Sequence, residues 1–227
     1  EAIERVTYEA IEDAYRDNVR YLELPLSLAF VVSAHKLPLH TVLDSLLDGV
    51  KSAEKKFPVK AALIVGIAPL WKEHKWSSPD EIFDAVSSFK DKAIVGIGLC
   101  SELKDGTPLF VAKKDVWHNF IQISKKAKDE GLSVHVHAGE VGKAKCVKAA
   151  IEDLGADRIG HGINVVQDSR ILRLVLERRI PLEICLTSNV MSGAVSSITE
   201  HPFKRLYDMG AVVTLNTDDP SLCQTTL

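Results

Sequence analysis

A parallel α/β fold is what this sequence predicts, and three observations predict it. Stretches of helical periodicity alternate with short extended apolar runs along the whole chain. The extended runs, such as KAALIVGIA (60–68) and AIVGIGL (93–99), are apolar at successive positions, as strands buried on both faces are. Polar residues with chemistry gather where the later runs finish: Glu140, His161, Ser188-Asn189 and Asp218-Asp219. In a (β/α)8 TIM barrel the active site is built at that rim. A doubly wound open sheet is the rival, and it would concentrate function at one switch point. Chemistry on four successive strands favours the ring.

The elements follow in order. Ile3, Val6, Ala10, Ile11 and Ala14 lie on one helical face, and RYLELP (20–25) is a short strand. After a loop, Pro38 opens a helix with a stripe of Leu39, Val42, Leu43, Leu46, Leu47 and Val50. KAALIVGIA is the second strand. Ser78-Pro79-Asp80-Glu81 is a capping box with a first-turn proline, and a helix carrying Ile82, Phe83, Val86 and Phe89 follows. AIVGIGL is the third strand, 114–130 a helix, and LSVHVHAGE (132–140) the fourth strand. A helix over 143–154 closes at Gly155, in the position of a C′ glycine. RIGHG (158–162), a helix over 168–179 and PLEICLTS (181–188) come next. Pro202 starts a helix that ends at Gly210, and AVVTLNTD (211–218) is the last strand. That is seven strands with six intervening helices and one helix ahead of them.

Composition narrows the class. An apolar fraction of 46% in 227 residues allows a sizeable core. Twenty-eight basic against thirty-one acidic residues leave a formal charge of −3 without a basic stripe, which argues against nucleic acid as a partner. No apolar run approaches the roughly 20 residues of a membrane helix. Cys100, Cys146, Cys185 and Cys223 are scattered, as in a reduced cytoplasmic protein. No linker divides the chain, so residues 1–227 are expected to form one domain. It begins inside a helical pattern at Glu1 and stops soon after the Asp-Asp pair, so that domain is expected to be truncated at both ends.

The stretch LSVHVHAGEVG (132–142) carries the first chemistry. His135 and His137 share a strand face, and Glu140 follows through Ala138-Gly139. His137 can offer a ring nitrogen to a metal, and Glu140 can carry a proton into the same pocket; alone, a strand histidine is more often a hydrogen-bonded structural residue. His161 stands between Gly160 and Gly162, which permit close approach of backbone and ligand, or simply make a turn. Asp218 and Asp219 end a strand, where D-D-P is also a common turn sequence. Imidazole with carboxylate on successive strand ends suits zinc.

HAGE, GHG, TSN, GAV, HP and NTDDP, in this order over residues 137–220, resemble the adenosine deaminase family; weaker similarity (YLEL, VGI, the final TTL) extends over nearly the whole chain. The resemblance implies a (β/α)8 barrel with one zinc ion and hydrolytic deamination of a purine 6-amino group by metal-activated water, with a small-molecule purine nucleoside or base as partner. It implies that His137 and Asp218 are zinc ligands and that Glu140 protonates the purine ring. It further implies that His161 orients and deprotonates the water, and that Asp219 hydrogen-bonds the purine's imidazole edge.

The match has departures. The family opens on a strand ending His-x-His that supplies two more ligands, and such a strand does not precede the seven here. His135-Val136-His137 has the letters but belongs to a later strand. Where the family has Asp-Leu-Ala-Gly facing the purine, this chain has Gly98-Leu99-Cys100-Ser101, so Ser101 becomes the candidate substrate contact. That change keeps open a metal hydrolase of the amidohydrolase type acting on another C–N bond. Loss of the His-x-His strand keeps open a metal-free barrel used for binding. Glu183 reads as a partner fixing an imidazole or as a core salt bridge, and His201 before Pro202 as a cap or loop contact. His35, His40, His74 and His118 read as solvated, and Trp71 and Trp76, beside a Lys-rich loop, as lining the mouth of a pocket or, more plainly, covering core.

Overall fold

In the described residues, seven strands alternate with helices in the α/β pattern of a (β/α)8 barrel, and each described strand pairing is parallel. The computed structural model describes residues 1–69, 77–89 and 93–227. Trp71, His74, Trp76 and the side chain of His35 lie outside the described residues. No helix among the described residues is long and apolar enough to cross a membrane. The chain forms two compact units, Glu1–Gly98 with Lys126–Ser133, and Leu99–Lys125 with Val134–Leu227.

The first unit contains α1 (Ala2–Arg16), β1 (Tyr21–Ser27), α2 (Leu28–His35), α3 (Leu39–Lys56), β2 (Lys60–Gly66), α4 (Pro79–Phe89) and most of β3 (Ile94–Cys100). Ala61 to Val65 are all buried in β2, as the unbroken apolar run requires. The stripe on α3 buries Val42, Leu43 and Val50, and Pro38 is its N-cap. Helix α2 replaces the expected loop. LAFVVSAH opens on five consecutive apolar residues and is only eight residues long, too short for a helical period to be read from it.

The capping box forms as the sequence predicts. Glu81 N–H donates to Ser78 Oγ at 3.3 Å, and Ser78 N–H donates to Glu81 Oε2 at 2.7 Å. Replacing Ser78 with Ala is expected to cost about 1 kcal/mol, read from the urea midpoint.

The second unit holds the chemistry. Its elements are α5 (Leu109–Ala112), most of α6 (Lys114–Asp129) and of β4 (Ser133–Ala138), α7 (Ala144–Glu152), β5 (Arg158–His161), α8 (Ser169–Glu177), β6 (Leu182–Ile184), α9 (Leu186–Met191), α10 (Phe203–Asp208), β7 (Val213–Leu215) and α11 (Pro220–Cys223). Strand alternation buries Val134, Val136 and Ala138 of β4, leaving His135 and His137 together on the other face. Register sets His137 beside Gly160 and Ala138 beside His161, and aligns Gly160 with Glu183. Chain direction is shared, so the four strands present their C-terminal ends at one rim.

One boundary differs from expectation in a way that matters. The sixth strand stops at Ile184, and residues expected to extend it to Ser188 form helix α9 instead. The segment LTSN mixes β-branched and polar residues and reads as strand; its side chains serve better from a helix, where Asn189 and Ser192, three apart, share a face.

Candidate active site

His137, Glu140, His161 and Asp218 converge. Ligand-capable atoms of His137, Glu140 and His161 lie within 4.8 Å of one another, as do those of His161, Cys185 and Asp218, so His161 joins two groups. Its Nε2 stands 3.7 Å from Glu140 Oε2 and 3.8 Å from Asp218 Oδ2. His137 Nε2 is 3.8 Å from Glu140 Oε2, and its ring meets that of His161 edge-on with centroids 4.8 Å apart. Exposure grades across the cluster: the side chains of His137 and Asp218 are 35% and 34% exposed, those of Glu140 and His161 only 10% and 7%. The expected metal ligands thus remain reachable, and the expected proton-handling residues are walled in.

Backbone strain marks the same residues. His161 has φ +64° and Asp218 φ +62°, in the left-handed region that costs a side-chain-bearing residue about 1–3 kcal/mol. Asp218 is further aimed by Ser188, whose hydroxyl donates to Oδ2 at 2.6 Å.

Glu140 is held by a network. Its Oε1 accepts from Asn189 Nδ2 at 2.9 Å and from Ser192 Oγ at 2.8 Å, while Oε2 faces the two imidazoles. Asn189 Nδ2 also meets His161 Nδ1 at 3.0 Å, and Asn189 Oδ1 meets His201 Nε2 at 3.1 Å. His201 Nδ1 accepts from the Phe203 N–H at 3.0 Å. The cap contact expected of His201 is therefore present, but its other nitrogen reaches into the site. Burial, with the nearby charge of His161, lowers the His201 pKa from its ordinary value. An unfolded chain takes up that proton near pH 6.5, whereas the folded ring refuses it until lower pH. Stability from this group is full above about pH 6.5 and is lost as pH falls through the folded value. Replacing His201 with Gln is expected to make the acid-side fall in melting temperature shallower.

Glu102 was not among the candidates, yet it shapes the loop that presents Glu140. Its carboxylate, 3% exposed as a residue, accepts four successive backbone N–H groups: Gly139 at 2.5 Å through Oε2, and Glu140, Val141 and Gly142 at 3.1, 3.0 and 2.9 Å through Oε1. This is an anion in a nest of main-chain amides. A Cβ at residue 142 would stand 2.5 Å from Glu102 Oε2, so the glycine there admits the carboxylate. Asn164 fixes the loop from its other side, donating through Nδ2 to the carbonyls of Glu140 and Gly142 at 2.8 and 3.0 Å.

His135 lies apart from this chemistry. Its Nε2 contacts Glu183 Oε2 at 2.5 Å, and Arg158 Nε stands 3.4 Å from Glu183 Oε1. Glu183 therefore both fixes an imidazole and makes an ion pair. Burial works to raise its pKa, but the hydrogen bond from His135 and the charges of His135 and Arg158 outweigh it and hold the carboxyl below its ordinary value. His135 on β4 reaches Glu183 on β6 across Gly160, where a Cβ would come within 3.2 Å of its ring. That glycine thus makes room for an imidazole of the protein, not for a ligand.

Asp219 is exposed beside Asp218; burial of its carboxyl group and the Asp218 charge raise its pKa. Ser101, the expected substrate contact, is fully buried, its hydroxyl without a hydrogen bond among the described residues and its N–H donating to His137 O at 3.0 Å. Full burial keeps its side chain off any open surface.

The adenosine deaminase family model matches residues 1–227, the whole of the chain. The chain belongs to the adenosine deaminase family. Among its relatives, the adenosine deaminase of Vibrio parahaemolyticus serotype O3:K6 is 37% identical over 222 residues, covering 98% of this chain and 63% of the relative. The chain thus spans somewhat under two thirds of the length of the curated relatives it matches. Of solved structures, an adenine deaminase from Arthrobacter aurescens superposes with a TM-score of 0.83 at 25% identity, over 99% of this chain and 64% of that one. The N6-methyl-AMP deaminase of Arabidopsis thaliana superposes with a TM-score of 0.81 at 26% identity, over 99% and 64%.

Proposed function

We propose that the protein carrying this chain is a cytoplasmic, zinc-dependent deaminase that hydrolyses the 6-amino group of adenosine or a closely related purine. The observation that carries the proposal is the meeting of His137, Glu140, His161 and Asp218 at one strand rim in a chain of this family. Imidazole and carboxylate donors fit zinc, and His137 and Asp218, the two half-exposed members, would hold it. Zinc, when bound, supplies the Lewis acidity that makes a water molecule a competent nucleophile near neutral pH.

The remaining roles belong to side chains. Glu140 has Oε1 occupied by two donors, so Oε2 is the atom that carries a proton to the purine ring. His161, buried between Glu140 and Asp218, sets the place of the nucleophilic oxygen. Burial first, then the charge of His137, lowers its pKa, against the pull of the carboxylates, and favours the neutral ring. Asp219, beside Asp218 at the end of the last strand, would hydrogen-bond the purine's imidazole edge. Ser101 is the weaker of the two proposed purine contacts, since only its unpaired hydroxyl could serve.

Ammonia release from adenosine, adenine and N6-substituted purine nucleotides by the intact zinc-loaded protein tests this reading. Turnover of at least one supports it. Turnover of none, with a folded and metal-loaded protein, rejects it.

A further inference from the structure

The hydrogen bonds that His201 and Asn189 make have only one consistent polarity. The relay starts at the Phe203 N–H, in the first turn of α10, where no helical carbonyl takes it. A backbone N–H can only donate, so His201 Nδ1 is an acceptor and the neutral ring carries its hydrogen on Nε2. That hydrogen points at Asn189 Oδ1, which fixes the amide with its nitrogen toward Glu140 Oε1 and His161 Nδ1. The opposite amide orientation would set Oδ1 against the Glu140 carboxylate, so both ends of Asn189 agree. Two amide hydrogens then serve two acceptors. His161 Nδ1 must offer a lone pair, and the hydrogen of its neutral ring sits on Nε2.

We propose that His201 and Asn189 are positioning residues that transmit the polarity of the Phe203 N–H to the site, locking His161 as the Nε2–H tautomer and holding Glu140 Oε1. Asn189 is 0% exposed, His201 8% and His161 6%, so water is not at hand to re-pair these groups if one is removed. The locked ring directs an N–H, not a lone pair, toward the space it shares with Glu140 Oε2 and Asp218 Oδ2. It therefore positions an oxygen there by donating to it; accepting a proton at Nε2 would require Asn189 to let go. Only this catalytic consequence rests on the deaminase reading; the tautomer stands on hydrogen bonding alone.

The test is nitrogen NMR of the intact protein labelled with 15N-histidine, the His161 signals assigned by their disappearance in His161→Gln. The wild type is expected to show a protonated Nε2 and an unprotonated Nδ1. His201→Ala is expected to move both signals toward a mixture of tautomers and to lower kcat about 10- to 100-fold with little change in KM. His201→Gln, whose amide can still donate to Asn189 Oδ1, is expected to restore both. A wild-type ring protonated on Nδ1, or a tautomer unmoved in folded His201→Ala, overturns the proposal. Absence of turnover in the wild type would instead reject the deaminase reading and leave the NMR result to stand.

Discussion

Replacing Glu102 with Gln is expected to destabilise the protein by about 2–4 kcal/mol, because each hydrogen bond to a buried charge contributes about 1.5–3 kcal/mol and an unmatched donor costs more. The geometry says where the loss falls. Oε1 serves three N–H groups and Oε2 one. A glutamine carbonyl placed on the three-donor side keeps those bonds in weaker, neutral form, but its NH2 then faces the Gly139 N–H. Glu102→Ala, which abandons all four donors in a buried site, is expected to cost more still. Urea denaturation reads both. The loop holding Glu140 would relax in either variant, so activity should fall with stability. A Glu102→Gln protein within about 0.5 kcal/mol of wild type, the range of an ordinary surface change, would show that the nest does not hold this loop.

Replacing Glu140 with Gln is expected to act in the opposite way, stopping turnover without unfolding the protein. The glutamine carbonyl can accept from Asn189 and Ser192 as Oε1 does, so packing and hydrogen bonds on that side persist. What disappears is the oxygen facing His137 and His161, the one proposed to carry the proton. Loss of a positioned general acid typically costs 10²–10⁴-fold, so kcat should fall by about that range with KM little changed. Steady-state kinetics on adenosine, or on whichever purine the wild type accepts, with a thermal melt of each protein, separates this outcome from that of Glu102→Gln. A variant retaining kcat within a few-fold would remove Glu140 from the chemistry.

The contrast between these two glutamates shows what could be read from sequence. Glu140 follows a strand histidine and sits at the end of its own extended run, so alternation and chain order point to it. Glu102 bonds to residues 37 to 40 positions away, and no local pattern announces that Gly139 to Gly142 will turn their amides toward it. Asn189 was visible only as part of a strand end; the helix that carries it places Ser192 beside it, a pairing that a strand would not make. His201 read as a cap because one of its nitrogens is a cap, while the other acts over twelve residues through Asn189. Ser101 shows what sequence leaves open: a departure in sequence suggested a substrate contact, and only tertiary packing shows that the residue is fully buried. The strands were legible because apolar runs have few other destinations. Helix α2 was not, since an eight-residue segment that opens on five apolar residues shows no readable period.

The most direct test of the convergence of imidazole and carboxylate groups is the metal content of the intact protein, measured by elemental analysis beside His137→Ala and Asp218→Ala. About one zinc per wild-type chain is expected, by the single-ion site the family resemblance implies, and markedly less in each variant, because removing a donor from a few-ligand site weakens its hold. A folded wild-type protein without metal, or variants that retain it in full, would contradict it.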